Sequence, residues 1–495
     1  MTAHAADLAV IAAYLLGITW FGARFRKSQH GLKDYFLGGR NAPWWAIALS
    51  IVSAETSTLT VIGTPALAFA GDFGFLQVVL GYLFARIVIS TLFLPHYFRG
   101  EMFTAYELMR RRFGEHVRRY TAATFLILRA LAEGVRVFAL SIVVSIVLAP
   151  LYARFGASVW AEAGSIFVIL CLTLFYTFEG GLTAVIWTDV VQMILYVGGA
   201  LVSFLVLLQH IPGGWSHAVA GAAAAGKFRV FDFRFSFSSE FFSRPYSFWA
   251  GVIGGCFLTT ASHGTEQLMV QRLLAARNER ESRTALFASW AVILFQFTLF
   301  LIIGAFLFVW YGDTHRPAPH PPDRIYPDFV WHFLPAGIAG LVIAAILAAG
   351  MSNLSAALNA LASTSIMDFY KPLFAPHASD ENRLMTLARR ATLLWGAVLF
   401  AIALIARNVK SVLEAGLSVA SVLYGALLGA FLLGLLTRRV GGNAAMIAMT
   451  TSLITMLLVN RFTHIAFTWY VVLGTAVTFI CGLAASLVLP REEAA

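Results

Sequence analysis

Charged residues are scarce in this chain: 12% of 495 residues, about half the roughly 25% usual in a soluble domain. With 59% of residues hydrophobic, the deficit excludes an ordinary water-soluble fold. Polar linkers are missing as well. A soluble chain of this length splits into about two to four domains, and no stretch here is polar enough to join them, so residues 1–495 read as a single membrane domain. Cysteine is nearly absent: Cys171, Cys256 and Cys481 each sit inside an apolar run, with no metal-site or disulfide spacing, and read as packing residues. The polar positions contain no nucleophile–base pairing and no metal-ligand spacing, so an enzyme is the least expected class and no cofactor is predicted. The formal net charge of +10 falls in short clusters between apolar segments rather than along one face, which argues for topology over nucleic-acid binding.

What is present is a long series of apolar runs. About 20 such residues cross the hydrocarbon core as a helix, and a scan predicts an all-α polytopic protein of about thirteen spans. They fall near 6–23, 44–70, 75–97, 120–149, 158–178, 183–209, 246–271, 284–310, 329–366, 390–406, 411–436, 442–459 and 466–489. The first span has no positive segment before it and is followed by Arg24, Arg26 and Lys27, the wrong polarity for a cleaved signal peptide. An external N-terminus then places Lys27, Lys33, Arg40, Arg110 to Arg119, Arg272 to Arg283, Lys371 to Arg390, Arg438 and Arg439 on the cytoplasmic side, in keeping with the positive-inside rule. A cytoplasmic C-terminus follows, in what reads as a bacterial cytoplasmic membrane. The residues after 490 form a brief tail, so no attached catalytic or signalling module is expected.

Polar groups at membrane depth are costly and mark function by default. Four places carry them. Ser53-Ala-Glu-Thr-Ser-Thr-Leu-Thr60, followed by Gly63-Thr-Pro65, lies mid-span. A proline without a donor and hydroxyls that compete for backbone bonds predict an interrupted helix, whose bared carbonyls suit a hard cation; the plain alternative is a kinked packing helix. Thr259-Thr-Ala-Ser-His-Gly-Thr-Glu-Gln267 repeats the pattern five spans later, and two breaks at matching places in two halves of five indicate an inverted-repeat transporter with a midplane site. His263 alone reads more readily as a satisfied buried histidine than as a ligand. Ser352, Ser355 and Asn359 share one helical face with Asn353 beside it, which fits a site or packing glue; Gly425 and Gly429 read as packing. Arg129, Glu133 and Arg136, with Arg86 in the preceding span, form one charged stripe, open to a structural ion-pair network or a solute role.

These residues carry a resemblance to the sodium/solute symporter family, whose members move sugars, proline, iodide, monocarboxylates and vitamins. It covers roughly residues 30 to 440 and rests on three motifs: Gly180 through Gln192 (GGLTAVIWTDVVQ), Gln271 through Arg277 (QRLLAAR), and Gly350 through Asn359 on to Met367-Asp-Phe-Tyr-Lys371. The resemblance implies ten core helices in two inverted repeats, 44–209 and 246–436, with broken first and sixth core helices. One extra helix (6–23) precedes them and two (442–489) follow. It also implies a sodium ion held by the carbonyls of Ser53, Thr56 and Ala349 and the side chain of Ser352. Asn353 stands where many members have Ser or Thr, and its amide oxygen is a ligand of the same kind. Asp189 resembles an acid on the inward route of the ion.

Solute residues transfer less directly. Sugar-carrying members resemble Asn-Ile-Ser-Ala-Glu-Gln at the first break, whereas Leu59 here removes the polar group, and Ser57 through Pro65 is similar to the branch that carries monocarboxylates, iodide and vitamins. The reading is therefore sodium-coupled symport of a small organic anion such as a monocarboxylate. The solute would sit near Glu55, Thr58, Thr60, His263 and Gln267, with Arg129 or Arg136 supplying positive charge that nearby acids do not obviously offset, although Glu55, Glu133 and Glu266 are able to do so. Its partners are sodium, the solute and the bilayer. The alternatives are symport of a sugar, amino acid or other neutral solute, a transporter-like membrane sensor, and a passive channel.

Overall fold

The computed structural model describes residues 4–23, 40–99, 105–154, 160–176, 182–370 and 381–489. Lys27, Lys33, Gly180, Gly181 and Lys371, on which parts of the topology and motif reading rest, lie outside them. The described residues form helices and no strand; an isolated parallel bridge joins Ala42 to Ala276.

In chain order the helices that matter below are α1 (Ala5–Ala23), α2 (Trp44–Glu55), α3 (Thr58–Ala70), α4 (Leu76–Arg99), α5 (Ala105–Phe113) and α6 (Glu115–Val147). Then come α7 (Ala161–Tyr176), α8 (Leu182–His210), α9 (Gly214–Ala224), α10 (Phe248–Gly264), α11 (Gln267–Leu274) and α12 (Glu279–Thr314). The last six are α13 (Ile325–Phe333), α14 (Ile338–Thr364), α15 (Glu381–Ala406), α16 (Val412–Leu436), α17 (Gly442–Phe462) and α18 (Tyr470–Ala485). Among the described residues nine helices are long and apolar enough to cross a membrane, or up to ten with the bent pair α2–α3 as one span. The expected thirteen is not reached on length and composition. α1 and α7 are apolar but short, and the seventh expected span is divided between α10 and the eight-residue α11.

The first break falls where the hydroxyls cluster and not at the proline. α2 ends at Glu55, Thr56 leaves helical geometry (φ −84°, ψ 80°), and extended Ser57 (φ −83°, ψ 174°) starts α3, bent by 66° from α2. Pro65 sits inside α3, which runs through it. Two conditions make this tolerable. Pro65 lacks only one donor, and α12 presses against that turn at Gly304, where a Cβ would come within 2.1 Å of the Pro65 carbonyl oxygen.

Packing around the two broken helices is reciprocal. α2 and α3 lie along α12, and α10 lies along α4. The second contact is close because Gly251 and Gly255 share a face: a Cβ at Gly255 would come within 2.3 Å of the Val78 carbonyl oxygen. Without a hydrophobic drive between helices in lipid, such small-residue contacts hold a bundle by van der Waals packing. Gly425 and Gly429 do the same between α16 and α18, against Gly474 and Thr478. α14 is continuous, lies against α1, α3, α6 and α8, and is fixed in height on α6 by Gly350, where a Cβ would meet Leu140 at 2.4 Å.

Candidate functional site

Each break exposes backbone in its own way. At the first, Thr56 N–H donates to Val52 O, Ser57 N–H to Glu55 O, and the N–H groups of Thr60 and Val61 to Ser57 O. No backbone donor across the break reaches the carbonyls of Ser53, Ala54 or Thr56. Two of these three are the carbonyls assigned to sodium from the sequence. At the second, Thr265 N–H donates to Ala261 O, the N–H groups of Met269 and Val270 donate to Glu266 O, and the Gly264 carbonyl accepts from Tyr97 OH at 2.5 Å.

Between the breaks lies a cleft of about 1060 Å³ counted to its mouth. Apolar walls come from Leu59, Phe75, Tyr82 and Phe297, and Phe75 stacks on Phe297 at 5.1 Å. Of the solute residues expected from the sequence, Glu55, Thr60, Arg129, Arg136 and His263 line this cleft. Thr58 does not; it is buried with its hydroxyl unpaired, and Ser57 takes its place in the lining. Gln267 is also outside the lining, while its neighbour Glu266 is in it, together with Thr259, Ser262 and Tyr424.

The charges are paired. Arg86, wholly buried, donates from Nη2 to Glu55 Oε2 at 3.0 Å, and His263 Nε2 lies 3.2 Å from the same oxygen, so Glu55 and His263 bridge the two breaks. Arg86 is thus no part of the stripe on α6, contrary to the sequence reading: α4 packs along α10 and places it at the breaks. On the opposite wall Arg129 meets Glu133 at 3.1 Å and Glu266 at 3.0 Å, Arg136 donates to Glu133 at 2.5 Å, and Tyr424 OH donates to Glu266 Oε2 at 2.5 Å. Three arginines thus face three glutamates, and the expected surplus of positive charge is not found. The two α6 arginines differ: Arg129 is nearly buried between two carboxylates, whereas Arg136 has one ion partner and 27% of its side chain exposed.

A second network joins the first break to α8 and α11. Asp189 Oδ2 accepts from Ser50 Oγ at 2.5 Å and from Arg272 Nη2 at 2.9 Å. Arg272 Nε donates to Ser50 Oγ at 2.9 Å, and Ser53 Oγ reaches Asp189 Oδ1 at 3.4 Å. All four residues are buried. Arg272 was visible inside a quoted motif, as a charge just past a broken helix, but its partner is 83 positions away and only the packing of α11 on α2 and α8 on α2 brings them together. Ser352 and Asn353 are half-buried on α14, Ala349 is buried, and none of the hydrogen bonds among the described residues engages either side chain. Of the other polar positions on that helix, Ser355 is buried and Asn359 exposed. Asp323, in the turn before α13 and outside the cleft lining, accepts from Val412 N–H at the start of α16 at 3.2 Å. Burial raises its carboxyl pKa to about 6.

The description sodium:solute symporter family belongs to the family model that matches residues 35–452. A sodium/sialic acid symporter of Aliivibrio fischeri is 28% identical over 95% of this chain and 90% of its own length. Sodium-coupled monocarboxylate transporter 2 of Mus musculus is 28% identical over 88% of this chain and 68% of its own length. Among solved structures, a sodium-coupled sialic acid symporter in a substrate-bound, outward-open state superposes with a TM-score of 0.81 and 26% identity, covering 99% of both chains.

Proposed function

The chain belongs to the sodium:solute symporter family, and from that premise we propose that it carries a small organic anion, with Arg136 reading the carboxylate. It is a multi-pass membrane transporter and not an enzyme, with sodium as the coupling ion. The observation behind the anion is the asymmetry of the two α6 arginines. Arg129 is consumed by Glu133 and Glu266, whereas Arg136 lines the cleft with one partner and keeps donors for a planar carboxylate, which guanidinium binds well. The relatives named above carry a sialic acid or monocarboxylates, which are anions.

Sodium would sit between the breaks of the first repeat and α14, on the carbonyls of Ser53, Thr56 and Ala349 and the side chains of Ser352 and Asn353. The bared carbonyls at the first break support this set. Residues 44–209 and 246–436 act as the two repeats, and the reciprocal packing of the broken helices supports that division. The Asp189–Arg272–Ser50 network closes the side on which Arg272 to Arg283 lie, the cytoplasmic side by the positive-inside rule, with the N-terminus outside. Release inward requires Arg272 to leave Asp189, which then receives the ion. Coupling is a linkage: sodium raises the affinity for solute by the factor that solute raises the affinity for sodium. Each charge moved through 100 mV supplies about 2.3 kcal/mol.

The balance of three arginines by three glutamates favours a second reading, a neutral solute such as a sugar or amino acid. Sodium-driven uptake into proteoliposomes, competed in turn by monocarboxylates, a sialic acid, glucose and proline, separates the two. Competition by the carboxylates alone supports the anion; competition by glucose or proline alone removes it.

A further inference from the structure

Ahead of α10 the chain reads Phe231-Asp-Phe-Arg-Phe-Ser-Phe237, four phenylalanines at every second position. All four are exposed, at 48%, 60%, 56% and 85% in order. In water this would be a large apolar liability, yet the segment is not loosely held. Asp232 N–H donates to Gln77 Oε1 at 3.1 Å, Phe248 N–H donates to Asp232 O at 2.9 Å, and Trp249 Nε1 donates to Phe233 O at 3.4 Å. These bonds pin it to the beginnings of α4 and α10 while the rings stay outside.

The rings continue an apolar surface already exposed on α10. On α10, Gly251 and Gly255 pack on α4, whereas Trp249 and Ile253, one turn apart, are exposed. Phe235 meets Trp249 edge-on at 5.6 Å, and Phe233 meets Phe248 at 4.8 Å. The stripe therefore extends beyond the end of the helix onto the irregular segment. The basic residues there are neutralised locally, Arg229 by Asp72 and Arg234 by Asp232, each at 2.7 Å, and Arg244 by Glu240. The patch has apolar rings and no free positive charge to offer.

We infer that residues 231–237 lie in the bilayer interface, with the four phenylalanines inserted at the headgroup–acyl boundary of the leaflet next to the start of α10. The occupant is lipid and not a protein, because the patch is continuous with the outward stripe of a membrane-embedded helix. Apolar insertion and not charge holds it, so anionic lipid is not required.

Phe233→Cys, Phe235→Cys and Phe237→Cys, and Arg234→Cys and Ser236→Cys, each made singly in a chain with Cys171, Cys256 and Cys481 replaced by alanine, would be spin-labelled in phosphatidylcholine nanodiscs. Collision with oxygen should exceed collision with a water-soluble nickel chelate at the phenylalanine positions, the reverse at 234 and 236, unchanged when phosphatidylglycerol is added. Nickel-dominated values throughout, or low values for both reagents as a protein partner would give, overturn the inference. Should the substituted chain fail to fold, photoactivatable phosphatidylcholine with the unmodified protein decides the matter. Adducts within 231–237 are expected, and labelling of the Trp249–Ile253 stripe without them contradicts it.

Discussion

The two breaks differ in what they expose. At the first, backbone is bared and the nearby side chains turn to structural partners: Ser53 to Asp189, Thr56 to Gln296 at 2.9 Å, and Glu55 to Arg86. At the second, one carbonyl is already taken by Tyr97, and a charged side chain, Glu266, enters the cleft to hold Arg129 and Tyr424. Carbonyl oxygens without donors suit a cation, while a lattice of arginine, carboxylate and phenol sets the shape and polarity of a solute pocket. On the proposed reading the bared carbonyls of the first break serve the ion, while the solute meets side chains of both breaks, Glu55, Ser57 and Thr60 from the first and His263 and Glu266 from the second.

The largest way to break this contrast is at the network that joins the first break to α8 and α11. Arg272→Gln leaves Asp189 buried without its countercharge, a loss of about 3–5 kcal/mol for a buried pair missing one partner. A large drop in thermal stability in detergent is expected, partly restored in the Arg272→Gln, Asp189→Asn double variant. Additive losses would show that the two residues act separately.

Asp323 lies outside both breaks and supplies a contrast of a different kind. Its folded-state pKa of about 6 is above the ordinary 3.8, so it favours the folded state below about pH 3.8, and this contribution is lost as pH rises through about 6. At pH 7.5 the ionised group is a burden of up to about 3 kcal/mol. Asp323→Asn should therefore be the more stable protein at pH 7.5 and lose that advantage towards pH 4, as thermal melts across the range would report. An unchanged pH profile would assign the pH dependence to other groups.

A sharper test of the solute contact is Arg136→Gln. Loss of a charge-assisted contact worth about 1.5–3 kcal/mol should weaken apparent solute affinity roughly 10- to 150-fold, with Arg129→Gln instead harming stability through Glu133 and Glu266. The smallest effect belongs to the ion site: Ser352→Ala should raise half-saturating sodium several-fold, about 1 kcal/mol, with little change in packing, while Ser355→Ala, one turn along, leaves it unchanged. Sodium-dependence curves normalised to membrane expression would read both.

Much of the architecture was legible because membrane helices announce themselves by apolar length, and both breaks because hydroxyls, glycine and charge interrupt that length. The position of the first break was less so: Pro65 drew attention, but Thr56 and Ser57 carry the turn, since a proline tolerated in one helical turn need not end it. Pairing was the least legible part. Arg86 and Arg129 look alike in sequence, and only the packing of α4 on α10 sends one to Glu55 and leaves the other on α6. Glu266 reads from the sequence only as a nearby acid and Arg272 only as one of a cytoplasmic basic cluster, because their partners on α6, α16 and α8 come from remote segments.

The proposed separation of the ion site, at the first break and α14, from the solute contact at Arg136 is tested most directly by sodium binding to the purified protein without solute, followed as sodium-dependent thermal stabilisation. Wild type and Arg136→Gln should share one sodium midpoint while Ser352→Ala shifts to higher sodium. An equal shift in Arg136→Gln, or none in Ser352→Ala, would contradict it.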